Sequence, residues 1–322
     1  MTKQKIVITD FPFPSRKPVY DVLDSEKFDI VFADLNDEEQ FNSLCAEADG
    51  IIVTYADMNA ALIGSMKNCR IMARTGVAVN NLDVAAATKK NIYVTNVVMP
   101  QVVDVANHAV ALLLTSIKKI HLLNEYVRSG HWSLDMAVPI YKMTGRKMGL
   151  LGFGHIAKEV AKRIKAFDVE VIAYDPYLPE SVFAEHGVAS VGFEELIREA
   201  DYISVHMPLT PDTKNLISFK AFEGMKNSAY LINTSRGGII DEAALADAVE
   251  NKKIAGAALD VLATEFPSVD YPLYKYPNII ITPHSAYYSE ECVVDLGKSA
   301  ATEVLRVLSG EKPVSLVNRE LL

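Results

Sequence analysis

At 322 residues the chain is longer than one ordinary core of about 100–200 residues requires, which points to two domains. Half of it is hydrophobic and 23% is charged, with 16 Gly and 14 Pro, so disordered, collagen-like and low-complexity classes are excluded. With 41 acidic against 32 basic side chains the formal charge is −9, which lacks the cationic excess that direct nucleic-acid binding needs.

The chain opens MTKQKIVITD, where Ile6, Val7 and Ile8 read as a first strand and no export signal is expected. Strand-like runs then follow at 28–34 (FDIVFAD), 49–55 (DGIIVTY), 69–75 (CRIMART) and 91–96 (NIYVTN), with helical stretches Glu38–Glu47 and Asn59–Met66 between them. This alternation is the signature of β-α-β units and a parallel sheet. The apolar run Ala106–Ile117 is closed by Lys118 and Lys119 and is too short for the roughly 20 residues of a membrane span, so a buried helix and no membrane partner are expected. With Glu125–Ile140, which carries the only Trp, it connects to a second series of strands: Lys147–Gly152, Glu170–Tyr174, Tyr202–His206, Tyr230–Thr234, Gly256–Asp260 and Asn278–Thr282. A last helix over Ser289–Leu308 has Val293, Leu296, Ala300, Val304, Leu305 and Leu308 at helical spacing, and returns to the first lobe. The fold class is therefore α/β, with two doubly wound parallel-sheet domains. Cys45, Cys69 and Cys292 are far apart with no metal-ligand spacing, which fits neither a disulfide framework nor a zinc site and suits a reducing cytoplasm.

The strongest local motif is KMGLLGFGHIAKEV, in which a strand ends at Gly152, passes Gly154 and enters a helix with Ala157 at the third fingerprint position. The first glycine permits a tight turn, the second lets a pyrophosphate approach the backbone, and the small third residue lets helix and strand pack closely. The amides of His155 and Ile156 then face the phosphates at the positive end of the helix dipole. Asp175 lies 23 residues beyond Gly152, where a carboxylate accepts from the adenosine ribose hydroxyls and repels a 2′-phosphate. The expected cofactor is NAD rather than NADP.

In a doubly wound sheet, ligands bind outside the carboxyl ends of the strands. Those ends carry Gly152, Asp175, His206, Thr234 with Ser235 and Arg236, Asp260 and His284. Singly, each has an ordinary reading: Arg236 as a surface cation, His206 or His284 as a loop histidine, Asp260 as a turn former. Together they read as a site. A guanidinium holds a substrate carboxylate and polarises the neighbouring carbonyl, while an imidazole supplies the proton as hydride reaches the carbon. Arg236 and His284 suit those roles for 2-oxo acid reduction, with Glu265 as the carboxylate that orients the imidazole. No G-x-S-x-G elbow and no metal-ligand cluster competes.

The chain resembles the D-isomer-specific 2-hydroxyacid dehydrogenase family, through RTGVAVNNLD at 74–83, GLLGFGHIA at 149–157, HMPLTPDT at 206–213, NTSRGGIIDEAAL at 233–245, AALDVLATE at 257–265 and TPHSA at 282–286. The resemblance implies a Rossmann dinucleotide-binding domain over 101–289, inserted in a flavodoxin-like catalytic domain made of 1–100 and 290–322. It implies Arg236 as the substrate-binding arginine, His284 as general acid/base, and Glu265 as its partner. The backbone of Gly76 and Val77 would meet the substrate carboxylate, and Tyr287, three positions after His284, would stand near the substrate. His206, Pro208 and Thr213 would line the adenosine side, Thr234, Arg236 and Asp260 the nicotinamide side, and Val105 would also touch the cofactor.

A homodimer built largely on the dinucleotide lobes is implied as well. YDPYLP at 174–179 and TPHSAYYSEE at 282–291 look most like the C-terminal binding protein branch, whose members pair dehydrogenase activity with transcriptional co-repression. A dinucleotide-sensing interaction protein is therefore the alternative function. Two positions depart from the family: Ala78 replaces the usual second glycine of the first-lobe loop, and Phe266 separates Glu265 from Pro267. The substrate is left open. Arg74 is a candidate for a phosphate-bearing acid and equally for a structural ion pair.

Overall fold

A computed structural model of the chain describes residues 3–97, 99–265 and 267–322. It divides into two compact units, one of Met1–Gln101 with Ser289–Leu322 and one of Val102–Tyr288, and each has its own sheet.

In the first unit β1 (Gln4–Ile8), β2 (Phe28–Phe32), β3 (Gly50–Val53), β4 (Ile71–Arg74) and β5 (Tyr93–Thr95) lie in the order β2-β1-β3-β4-β5, all pairs parallel. This is the flavodoxin-like order, with the switch between β1 and β3. Every residue of β3 is buried, as a strand covered on both faces requires. The C-terminal helix Glu290–Leu308, capped by Ser289 Oγ accepting from the Cys292 amide at 3.0 Å, packs on β3 and β4. Beyond it, Asn318 is 1% exposed, accepts from the Val94 amide at 2.9 Å and donates to the Ile92 carbonyl at 2.9 Å, which fastens the tail to the edge of β5.

In the second unit β6 (Lys147–Leu151), β7 (Glu170–Tyr174), β8 (Ala189–Ser190), β9 (Tyr202–Val205), β10 (Tyr230–Asn233), β11 (Gly256–Leu259) and β12 (Ile279–Ile281) lie in the order β12-β11-β10-β9-β6-β7-β8. All pairs are parallel, and the order reverses between β6 and β9. That is the Rossmann winding. Successive residues point to opposite faces, so Leu151, Leu231, Ala257 and Leu259 enter one core while Leu150, Ile232 and Ala258 enter the other. Each large aliphatic side chain buried in this way contributes about 1.5–3 kcal/mol.

The helix expected from Ala106 starts earlier and spans Val102–Ile117; it packs on β10 and β11 with Val105, Ala106, Ala109, Leu113 and Ile117 buried. It stops where Lys119 turns left-handed at φ +51°, and a second helix, Ile120–Arg128, with no buried residue, begins the connecting segment. The two-residue β8 has no strand-like run in the sequence. Among the described residues no helix is long and apolar enough to cross a membrane.

Candidate active site

The site is built where the strands of the second unit end. Gly152, Asp175, His206, Thr234 and Asp260 each follow the last residue of their strand, and His284 lies three residues beyond β12, so all stand in the loops just beyond the sheet. Gly152 has φ +88°, and a Cβ there would lie 2.7 Å from the His206 carbonyl oxygen, so no other residue fits the turn. A Cβ on Gly154 would meet nothing within 4 Å, which leaves its face open. Helix His155–Ile164 starts immediately after Gly154, placing the His155 and Ile156 amides in its first turn. Asp175 Oδ2 accepts from the Phe153 amide at 3.0 Å and Oδ1 from the Tyr177 amide at 3.1 Å, which fixes the carboxylate at the lip of this turn.

Two buried polar atoms in the loops after β9 and β10, His206 Nε2 and Thr234 Oγ1, have no hydrogen-bond partner among the described residues. Burial pushes the His206 pKa down to about 4, so its ring is neutral near pH 7. An open glycine face, a helix N-terminus, a carboxylate at the end of β7 and two orphaned polar atoms fit a dinucleotide. The loop after His206 is closed on itself: Thr213 Oγ1 donates to the Pro208 carbonyl at 2.6 Å and accepts from the Thr210 amide at 2.7 Å.

Arg236 stands in a turn held by Asn233, whose Oδ1 accepts from the Ser235 amide at 3.0 Å and whose Nδ2 donates to the Arg236 carbonyl at 2.9 Å. The next residue, Gly237, lies so close to the backbone of Leu262 that a Cβ would come within 1.9 Å. The Leu262 segment leads to Glu265. Glu242 holds it, accepting from the Ala263 amide at 2.7 Å and from the Tyr271 hydroxyl.

Glu265 meets His284: its Oε1 lies 3.0 Å from Nδ1. That contact holds the Glu265 carboxyl below the usual carboxylate range against the opposing effect of burial, with the charges of His284 and Arg236 adding to it. A carboxylate can only accept, so Nδ1 carries the hydrogen and Nε2 is the nitrogen left to exchange a proton with a substrate. The side-chain direction of Glu265 is thus toward His284, although Phe266 itself lies outside the described residues.

The structure brings Arg236, Glu265, His284 and Asp260 onto adjoining loops of one unit, and Tyr287 follows on the His284 loop with its ring 6.4 Å from that of Tyr288. Val105 is buried in the helix Val102–Ile117 and shares none of these hydrogen bonds. Gly76 and Val77 belong to the first unit. There Gly76 accepts from the Val97 amide at 2.9 Å, Val77 is exposed, and the Arg74 guanidinium lies where a Gly76 Cβ would be. Asn233, Glu242, Thr282 and His108 were not singled out from the sequence. Asn233 and Glu242 do lie inside the NTSRGGIIDEAAL motif, where a side chain shaping the turn is the available signal. Among the described residues no cluster of His, Cys, Asp and Glu could hold a metal ion.

Residues 110–286 match the family model described as D-isomer specific 2-hydroxyacid dehydrogenase, NAD binding domain. A D-3-phosphoglycerate dehydrogenase of Archaeoglobus fulgidus is 37% identical over 268 residues, covering 83% of this chain and 51% of that protein, so the chain spans about half the length of that relative. A glyoxylate reductase of Korarchaeum cryptofilum is 35% identical over 280 residues, covering 86% of this chain and 84% of that one. Among solved structures, D-lactate dehydrogenase with NAD+ from Lactobacillus jensenii superposes with a TM-score of 0.79 at 28% identity, over 98% of this chain and 100% of the other.

Proposed function

The chain belongs to the D-isomer-specific 2-hydroxyacid dehydrogenase family, and on that premise we propose that it is an NAD-dependent oxidoreductase interconverting a 2-oxo acid and a D-2-hydroxy acid. The observation that carries the reading is the 3.0 Å contact between His284 Nδ1 and Glu265 Oε1 beside Arg236. NAD, when bound, supplies the hydride chemistry. Gly152, Gly154, His155 and Ile156 would hold its pyrophosphate, and Asp175 the adenosine ribose. His206, Pro208 and Thr213 would line the adenosine side, Thr234, Arg236 and Asp260 the nicotinamide side, with Val105 a further contact.

Arg236 binds the substrate carboxylate and polarises the adjacent carbonyl. His284 Nε2 donates a proton to the carbonyl oxygen in the reducing direction and takes it back in the oxidising one. Glu265 keeps the ring oriented through its hydrogen bond to Nδ1. Tyr287, on the same loop as His284, shapes the side-chain pocket of the substrate. The aligned proton donor favours turnover over a purely NADH-sensing role of the co-repressor type.

The proposal includes a homodimer and a reducing, cytoplasmic setting. Supporting the first, the segment after helix Ile120–Arg128 exposes Trp132 (91%), Leu134, Val138 and Tyr141. Supporting the second, Cys45 and Cys69 are buried thiols, each pushed up to about 12 by desolvation, and neither is in a disulfide.

The test is NADH oxidation by the purified chain against pyruvate, glyoxylate, hydroxypyruvate, phosphohydroxypyruvate and 2-oxoisocaproate. One acid is expected to be clearly preferred, and His284→Ala is expected to bind NADH while losing turnover by roughly 100-fold or more. NADH binding without turnover on any 2-oxo acid would favour the sensing role instead.

A further inference from the structure

The loop that carries His284 is held in an unfavourable shape. His284 has φ +53°, a left-handed backbone that is unfavourable for a non-glycine residue and persists only where the surroundings enforce it. The enforcement comes from Asp260. Its carbonyl accepts from the His284 amide at 2.8 Å, and its carboxylate oxygens accept from the Ser285 and Ala286 amides, each at 2.9 Å. The Asp260 side chain is fully buried, so its orientation depends entirely on the donors around it.

One more donor is the Thr282 hydroxyl, 2.5 Å from Asp260 Oδ1. A hydroxyl has a single hydrogen, and here it is directed at the carboxylate, so the ring nitrogen on its other side must be the donor. That nitrogen is His108 Nε2, 3.1 Å from Thr282 Oγ1 and 3.5 Å from Asp260 Oδ1. His108 sits on the long helix Val102–Ile117, which packs on β10 and β11. The helix therefore reaches the His284 loop through a chain of donors that runs in one direction, from His108 to Thr282 to Asp260.

We propose that His108 is a positioning residue for His284: its Nε2–H fixes the Thr282 hydroxyl on the Asp260 carboxylate, and that carboxylate fixes the left-handed loop that presents the His284 ring to Glu265. The role rests on the reading of His284 as the proton donor. His108 itself touches no reacting atom. What it sets is the angle and occupancy of the His284–Glu265 hydrogen bond.

The experiment compares His108→Ala with His108→Gln, whose terminal amide keeps an N–H donor at similar reach. In the ligand-free protein, the downfield proton signal of the His284 Nδ1–H, assigned by its loss in His284→Ala, should weaken in His108→Ala and persist in His108→Gln. With NADH and the preferred 2-oxo acid, kcat should fall roughly 10- to 100-fold in His108→Ala while the KM for NADH stays within about twofold, and Gln should restore most of the rate. A wild-type signal and kcat in His108→Ala overturn the proposal. So does an equal loss in both variants, which would make His108 a packing residue only. Should His108→Ala fail to fold, Thr282→Val against Thr282→Ser gives the same comparison, with the serine keeping the hydroxyl. Absence of turnover in the wild-type chain would overturn the catalytic reading alone, because the ligand-free spectra still decide whether His108 orients the ring.

Discussion

His206 stands at the end of β9 with Nε2 buried and without a partner among the described residues, and burial brings its pKa down to about 4. In the unfolded chain the same ring takes up its proton near 6.5. Between those values the unfolded state binds more protons than the folded one, so stability falls as pH drops from about 6.5 to about 4 and levels off below that. The full effect is about 3 kcal/mol at most. Urea midpoints of the ligand-free protein at pH 7 and pH 4.5 should therefore differ more for the wild-type chain than for His206→Asn, and equal differences would rule out a buried neutral ring. Glu265 acts in the same direction at lower pH. Its carboxyl is held below the usual range by the His284 hydrogen bond, so the stability of that contact is present above the ordinary carboxylate pKa and is lost only as pH falls through the depressed one.

The turn from β6 into helix His155–Ile164 is the element on which the dinucleotide reading depends. Gly152→Ala would force a side chain into a left-handed backbone and against the His206 carbonyl oxygen. The expected result is a loss of about 1–3 kcal/mol in denaturant stability together with at least a tenfold weaker NADH affinity by fluorescence titration. Normal NADH binding by this variant would remove the turn from the site. The opposite edge of the same sheet serves the fold instead: there Asp201 gathers Arg146 Nη1 at 2.8 Å, the Lys147 amide at 2.9 Å and Lys226 Nζ at 3.1 Å.

This division also explains what the sequence made legible. The strands read as apolar runs because both faces of each sheet are covered, and their polar ends read as a site because they break those runs at one edge. The Gly152 turn and the Asp175 spacing are local and were visible. The tie from His108 to Thr282 spans 174 residues and follows no local spacing, so only the folded chain reveals it. The stop at Ile117 was legible in Lys118 and Lys119, but the left-handed turn at Lys119 that starts a second helix has no compositional mark. The short β8 is a two-residue addition to the edge of the sheet with both residues exposed, too brief to show a period.

For the molecule as a whole, the segment from Ile120 to Tyr141 is a stretch where a single chain leaves several large apolar side chains uncovered. Helix Ile120–Arg128 has no buried residue, and the stretch beyond it leaves Trp132, Leu134 and Val138 more than half exposed. Contiguous apolar exposure of this kind marks a contact surface, and a second copy of the chain is the simplest occupant. Light scattering should give about 71 kDa, twice the 35.4 kDa chain. Trp132→Arg with Val138→Asp should return it to the mass of one chain, whereas a wild-type monomer would reject the dimer. Because Trp132 is the only tryptophan among 322 residues, the arm also labels itself. Selectively excited emission from the protein reports one indole ring at one place. A bare arm would emit far to the red and yield to iodide quenching, and a covered one would shift to the blue, so association can be followed by dilution in a cuvette with no dye attached.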